Sequence, residues 1–248
     1  MAEAAVAEIA LPPPKRFPLL RRLFRHRLFV TGLVLFGAML LLALTADWIA
    51  PYAPLRMQAR MRFRPPGGNF LFGTDNFGRD IFSRLCFGAR LSLGIGFAVV
   101  LATGLIGTTV GLAAGFFRRL DEIVMRVMDA LMAFPAVMLA LAIASALGPS
   151  AANAVIALSI VYIPRTARIV RATVLVVREM DYVQAARAFG GRDSWIILRH
   201  VLPNSLAPLI VQLTFIFAYA VLSESVLSFL GVGPPPPTPT WGNMIAEG

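Results

Sequence analysis

Residues 91–116 read LSLGIGFAVVLATGLIGTTVGLAAGF, without a single charged side chain. A helix needs about 20 mostly apolar residues to cross the hydrocarbon of a bilayer, and this stretch is long enough. Gly107, Gly111 and Gly115 recur every four residues within it. Glycines at that spacing share one helix face and let a second backbone approach closely. The stretch therefore predicts a spanning helix with a packing face.

The composition agrees. Of 248 residues, 58% are hydrophobic and 15% charged, and the mean hydropathy is +0.74. These values exclude an ordinary soluble domain and point to a polytopic helical membrane protein. The net charge is +10, and all but one of the 23 basic residues are Arg. Nucleic-acid binding is one reading of that charge. In a membrane chain, basic loops that set topology and touch anionic lipid account for it, so the bilayer and not nucleic acid is the expected partner. Cys86 stands alone, which excludes an intrachain disulfide and a Cys metal cluster. His26 and His200 are too few and too separated for a metal site, and none is expected.

Towards the N-terminus, residues 1–27 form a basic tail in which Arg21, Arg22, Arg25 and Arg27 directly precede an apolar run. Such a cluster marks the cytoplasmic side. The first span covers residues 28–49, and no cleavable signal precedes it. Trp48 and Tyr52 sit like interfacial aromatics, and Pro51 and Pro54 end the helix. Residues 51–90 then form an outer segment with Arg56, Arg60, Arg62, Arg64, Arg79, Arg84 and Arg90 against Asp75 and Asp80. This opposes a simple positive-inside count. The N-terminus-in orientation rests instead on the first helix and on the basic stretches 116–126 and 165–205. Asp75 and Arg79 stand at i, i+4 and read as a loop-ordering ion pair. Gly73 and Gly78 imitate part of a phosphate-binding loop, but Arg79-Asp80 follows where Lys and Ser/Thr are required. This stretch is not read as a phosphate-binding loop.

Towards the C-terminus, a basic turn over 116–126 leads into a third span, 127–147, kinked at Pro135. Ala136, Ala140 and Ala144 repeat every four residues along it. A fourth span begins near residue 151, but its apolar run is short before Pro164 and Arg165. Arg165, Arg168 and Arg171 either snorkel to the inner surface or line a polar passage. The fifth span, 206–230, contains Glu224 between Ser223 and Ser225. A carboxylate inside a membrane is a functional-site candidate by default. It lines or gates a passage, or it is held structurally by the flanking serines. Four prolines, 234–237, favour a polyproline loop.

Between spans four and five lies DYVQAARAFGGRDSWIILRHVLPN, residues 181–204. Tyr182, Ala185, Ala186 and Phe189 fall at i, i+3, i+4, i+7 on one helix face. Gly190 and Gly191 break the helix. Asp193 then caps a second short helix, and Pro203 stops it. The layout is two short amphipathic helices about a glycine hinge. It either rests on the membrane or docks into a groove of a partner. No Ser/His/Asp grouping or carboxylate pair supports an enzyme.

Gln184-Ala185-Ala186, then Gly190, then Leu202-Pro203 resembles the Glu-Ala-Ala…Gly…Ile-x-Leu-Pro loop of bacterial ABC importer permeases. Gln184 replaces the usual Glu and His200 the usual Ile. FGTDNFGRDIFSRLCFGARLSLGIG (72–96), DALMAFPAVMLALAI (129–143), RHVLPN (199–204) and SESVLSFLGVGPPPPTPTWGNMIAEG (223–248) resemble the C-type permease of dipeptide, oligopeptide and nickel importers. The likeness runs from about residue 15 onward. It implies an all-α transmembrane bundle of the type I ABC importer (MetI-like) kind. Residues 1–27 would be a cytoplasmic tail, 28–87 an anchor with a periplasmic segment, and 88–248 the transporter domain. Within the last, loop 178–204 would seat in an ATPase through Tyr182, Gln184, Ala185, Ala186, Phe189, Gly190, Leu202 and Pro203.

The resemblance further implies four kinds of partner in a bacterial inner membrane: a second homologous permease, two ATPases, a periplasmic substrate-binding protein and the lipid itself. ATP and Mg would belong to the ATPases, leaving this chain without a cofactor. The cargo would be a peptide, or nickel or another small solute. The competing reading is a non-transport membrane scaffold that binds lipid through the same loop. Family members continue past the WGNM segment into a sixth span. Five of an expected six spans are therefore read here, with the C-terminus outside and the gate incomplete.

Overall fold

The computed structural model describes residues 23–247, and Arg21 and Arg22 of the basic tail lie outside them. Among the described residues the regular elements are all helical. The chain divides into two units, Met1–Leu41 and Leu42–Gly248. Helix α1, Arg27–Leu44, straddles that boundary. It is uniformly apolar, with a mean hydropathy of 2.2, and almost none of it is buried within the chain. A helix that is apolar all round needs lipid or other protein against it. A short α2, Ala46–Ile49, follows.

Helix α3, Ile81–Phe116, has 36 residues and starts well before residue 91, where the sequence placed the span. Asp80 caps it, accepting from the Ser83 amide at 2.8 Å and the Ser83 hydroxyl at 2.6 Å. The cap satisfies first-turn amides that would otherwise be orphaned. Arg84 and Arg90, assigned above to the outer segment, therefore lie on the helix. Arg90 is paired there, with Asp47 at 2.8 Å and the Ala43 carbonyl at 2.9 Å.

The expected third span is two helices, α4 (Arg118–Met132) and α5 (Ala136–Leu147), set at 91° to one another. The break is sharper than a kink because Pro135 lacks an amide proton and also disfavours helix at Phe134. Helix α6, Ala151–Val177, runs unbroken through Pro164 for 27 residues. Helix α7 covers Asp181–Ala188 and α8 covers Asp193–Ile196. A π-helical turn over Ile197–Val201 joins α8 to α9, Leu202–Phe229.

Two expectations change in this region. Asp193 is the first helical residue of α8 and makes no cap; Arg192 holds the cap position. Pro203 does not stop a helix, since the chain stays helical from Asp193 to Phe229. The wider π turn directly before it shifts the backbone register and absorbs the hydrogen bond that proline cannot make.

The four prolines also differ from expectation. They form a turn, with the Thr238 amide donating to the Pro235 carbonyl at 3.2 Å, rather than an extended polyproline run. Asn243 Nδ2 clamps that turn by donating to the Pro234 and Thr238 carbonyls at 2.8 and 3.0 Å. The chain then enters α10, Trp241–Glu247.

Glycines set the packing. A Cβ on Gly107 would sit 2.7 Å from Thr166 Cβ, one on Gly111 2.6 Å from the Ala167 carbonyl, and one on Gly115 2.6 Å from Val174 Cβ. Helices α3 and α6 are thus in backbone contact and run parallel, because both sets of numbers rise together. Gly96 meets Phe217 and Val221 while Gly104 meets Leu213, so α9 runs the opposite way. A core of small residues, Ala140, Ala144, Ala154, Ala157 and Ala220, joins α5, α6 and α9 to Ile95 and Val99. Such residues bring helices close where lipid supplies no hydrophobic drive.

Parallel α3 and α6 require the chain between them to travel back the length of the bundle. The broken pair α4–α5 makes that return. By length and composition, α1, α3 and the helix ending at Phe229 qualify as spans, and α4–α5 adds a fourth if the pair counts as one. Helix α6, 27 residues with three arginines, packs against both α3 and α9, an arrangement consistent with the five spans read from the sequence.

Candidate passage wall and coupling element

The loop between α6 and α9 is rooted from beneath. Val183 of α7 is fully buried and packs with Ile196, Val201, Val170, Val174, Val177, Leu112 and Phe116. Arg178 donates to the Gly115 carbonyl at 2.7 Å, closing the C-terminal end of α3. Gln184 Nε2 donates to the Arg178 carbonyl at 3.0 Å and does the same for α6. An amide can make this bond, which a carboxylate at position 184 could not. The arginine at 187 stacks over the Phe116 ring at 5.5 Å. Asn204 of α9 donates to the Tyr182 hydroxyl at 3.3 Å, so the element is tied to α3, α6 and α9.

Its other face is open. Phe189 is 93% exposed, and Tyr182 and Trp195 are about half exposed. Ala185 is exposed and Ala186 half-buried. Gly190 has φ +80°, the left-handed conformation that favours glycine. Gly191 donates to the Ala186 carbonyl at 3.0 Å. Together Ala186, Phe189, Gly190, Gly191, Arg192 and Trp195 line a hollow of about 470 Å³. His200 packs against Trp195 at 4.9 Å and Tyr182 at 5.8 Å, joining the two halves of the element. Leu202 is half-buried and Pro203 exposed where α9 begins.

A second polar region lies along α6. Arg168 pairs with Asp129 of α4, and Arg171 forms a two-pronged pair with Asp121. These side chains reach sideways to acids of α4. The third arginine, Arg165, stands over the rings of Tyr162 and Tyr219, 5.7 and 5.8 Å from their centroids. With Met132, Arg168, Ile169, Gln212, Phe215 and Tyr219 it lines an open hollow of about 390 Å³.

Glu224 is wholly enclosed, at 0% exposure. Its Oε1 accepts from Ser228 Oγ at 2.6 Å, one helical turn on. The flanking serines bond elsewhere, Ser223 with the Tyr162 hydroxyl at 2.8 Å and Ser225 with the Val221 carbonyl at 3.1 Å. Among the described residues Glu224 Oε2 makes no hydrogen bond.

At the other end of the bundle Asp75 is the hub of a buried ion cluster that pairwise sequence reading missed. Its Oδ1 accepts from the amides of Phe77 and Arg79, both at 2.9 Å. Its Oδ2 accepts from Arg79 Nε at 2.7 Å and Arg84 Nη1 at 2.6 Å. Both guanidinium groups also reach Glu247 Oε2, at 2.6 and 2.7 Å. Arg79 and Arg84 are each 1% exposed. Burial pushes the Asp75 carboxyl up, but the Arg79 and Phe77 amides and the Arg79 guanidinium outweigh it and hold it below the usual carboxylate range. The only sequence signal was the i, i+4 spacing of Asp75 and Arg79.

Comparison with known proteins fits these features. Residues 105–248 match the model of a binding-protein-dependent transport system inner membrane component. Residues 19–66 match the N-terminal transmembrane domain of oligopeptide transport permease C. A Brucella abortus protein named for a peptide transport system permease is 56% identical over 228 residues, 92% of this chain and 77% of that protein. The di/tripeptide transport system permease protein of Pseudomonas aeruginosa is 44% identical over 232 residues, covering 90% and 77%. The dipeptide transport system permease protein of Alkalihalophilus pseudofirmus is 42% identical over 228 residues, covering 92% and 75%. The chain belongs to the family of binding-protein-dependent transport system inner membrane components, as the permease subunit of an ABC importer.

Proposed function

We propose that the chain moves peptides across the bacterial inner membrane in complex with a second, homologous permease, two ATPases and a periplasmic substrate-binding protein. The names of its relatives support the peptide cargo. The observation that carries the coupling role is the two-sided build of residues 178–204. Buried Val183 roots the element in the bundle, Tyr182 and Ala185 are exposed, and Ala186, Phe189 and Gly190 line a hollow. A membrane-resting helix would turn a continuous apolar face outward. This element shows instead a few aromatics around a concavity, as a socketed helix does. ATP and Mg are bound by the ATPases, and closure of their dimer pulls the element, which moves α3, α6 and α9 as a body. Leu202 and Pro203 carry that movement into α9.

Three arginines that opposed a cytoplasmic N-terminus, Arg79, Arg84 and Arg90, are neutralised by Asp75, Glu247 and Asp47. They no longer count as free positive charge in the outer segment, which supports the N-terminus-in orientation. Residues 28–87 then serve as anchor and periplasmic segment, and 88–248 as transporter domain. Glu224 serves as a buried packing post of α9 rather than a gate, since Ser228 holds it in an enclosed site.

A cysteine placed at Ala185 tests the coupling role. In the assembled complex it is expected to cross-link to an engineered cysteine in an ATPase subunit, with a yield that changes on ATP binding. Labelling by a lipid-phase reagent, with no cross-link to the ATPase, would favour the membrane-resting alternative.

A further inference from the structure

Three arginines follow one another along α6, and two are matched by acids of α4. Among the described residues no acid lies within ion-pair distance of the third, Arg165. We propose that Arg165, steadied by Tyr162 and Tyr219 and assisted by Gln212, is a carboxylate site on the passage wall that takes the terminal carboxylate of a peptide in transit. The inference rests on the peptide-permease reading above.

Position along the helix is the first argument. Arg165 lies about 21 Å of helix from Ala151 and about 18 Å from Val177, well inside α6. A guanidinium there faces protein or a water-filled space more cheaply than lipid. The backbone supplies a second, independent argument. Helices α4 and α5 break at residues 133–135, and Met132 at that break lines the same hollow. Non-helical backbone at membrane depth is tolerated where it is buried in protein or lines a cavity. A charged side chain and a broken helix thus converge on one hollow.

The chemistry of the hollow selects the ligand. The guanidinium carbon stands 5.7 and 5.8 Å from two tyrosine ring centroids, contacts that hold the group beside the hollow, and its N–H groups suit a planar two-oxygen acceptor. Gln212 adds a neutral hydrogen-bonding group and no competing charge. The volume of about 390 Å³ lies in the range of small-ligand sites. Every linear peptide carries a terminal carboxylate whatever its side chains, so such a site grips cargo without reading sequence. Its openness keeps the grip weak enough to release.

The test uses the complete transporter in vesicles, with its own binding protein, and measures uptake of trialanine and of trialanine amide. Arg165→Gln is expected to slow the free-acid peptide roughly tenfold or more and to leave the slower amide nearly unchanged. Arg165→Lys is expected to recover part of the loss. The binding protein is the same in both arms, so its own preference cancels in the ratio of ratios. Trialanine amide carrying one glutamate separates terminal from side-chain carboxylates; sensitivity of this third peptide to Arg165→Gln extends the site to any carboxylate. Equal slowing of acid and amide would mean that Arg165 only packs or pairs with the second permease, and would overturn the site while leaving peptide import intact. Failure of the unaltered transporter to carry any peptide would overturn both.

Discussion

At the scale of single residues, the most deeply buried arginines are placed where specific acids meet them. Asp75 joins two buried guanidinium groups, and Glu247 closes the cluster from 168 positions beyond Arg79 in sequence. Removing one member of a buried ion cluster leaves the others uncompensated, at about 3–5 kcal/mol. The Asp75 carboxyl is held below its ordinary value by its partners. Its stabilisation is therefore complete above the unfolded value of about 3.9 and is lost as pH falls through the lower folded value. The melting temperature of the detergent-solubilised protein is expected to drop as pH falls from the unfolded value of about 3.9 downward. Asp75→Asn is expected to begin lower at neutral pH and to change less across that interval. A parallel fall in both proteins would remove Asp75 from the account.

At the scale of elements, the glycine contacts of α3 dominate. Gly111 lies so close to α6 that a Cβ would press on the Ala167 carbonyl and on Val170. Gly111→Val is expected to cost about 1–3 kcal/mol or more through overpacking, seen as earlier unfolding in detergent. The same change at Gly94, where a Cβ meets nothing, should have little effect.

The four-residue repeat of glycines announced this face before any coordinates, and the two short helices around Gly190 were equally legible from period and punctuation. Other elements were not. The apolar run ending at Phe116 hid the true start of α3, because a helix extends past its apolar part when a cap and ion pairs support it. Asp80, Ser83 and Arg90 supply that support, and no hydropathy pattern registers it. Pro135 broke a helix where a kink was expected, whereas Pro203 broke nothing. Both outcomes depend on neighbouring turns rather than on proline alone. Glu224 found its partner one helical turn away at Ser228, as an i, i+4 count allows, while the adjacent serines faced elsewhere.

At the scale of the whole molecule, the directions of α3, α6 and α9 connect the ends of the bundle. The coupling element hangs at the end where α3 and α6 finish and α9 begins, held by Arg178, Gln184 and Val183. A push on it is delivered to all three helices rather than dissipated in a loop. The Arg165 hollow lies on the same α6 and α9, between that handle and the opposite end. The central claim is that residues 178–204 convert ATPase movement into opening of the passage. The most direct measurement is ATP-driven peptide uptake by the reconstituted complex carrying Ala186→Asp, with assembly verified beforehand. The account predicts that uptake is lost and that peptide-loaded binding protein no longer stimulates ATP hydrolysis. Normal uptake together with normal stimulation would contradict it.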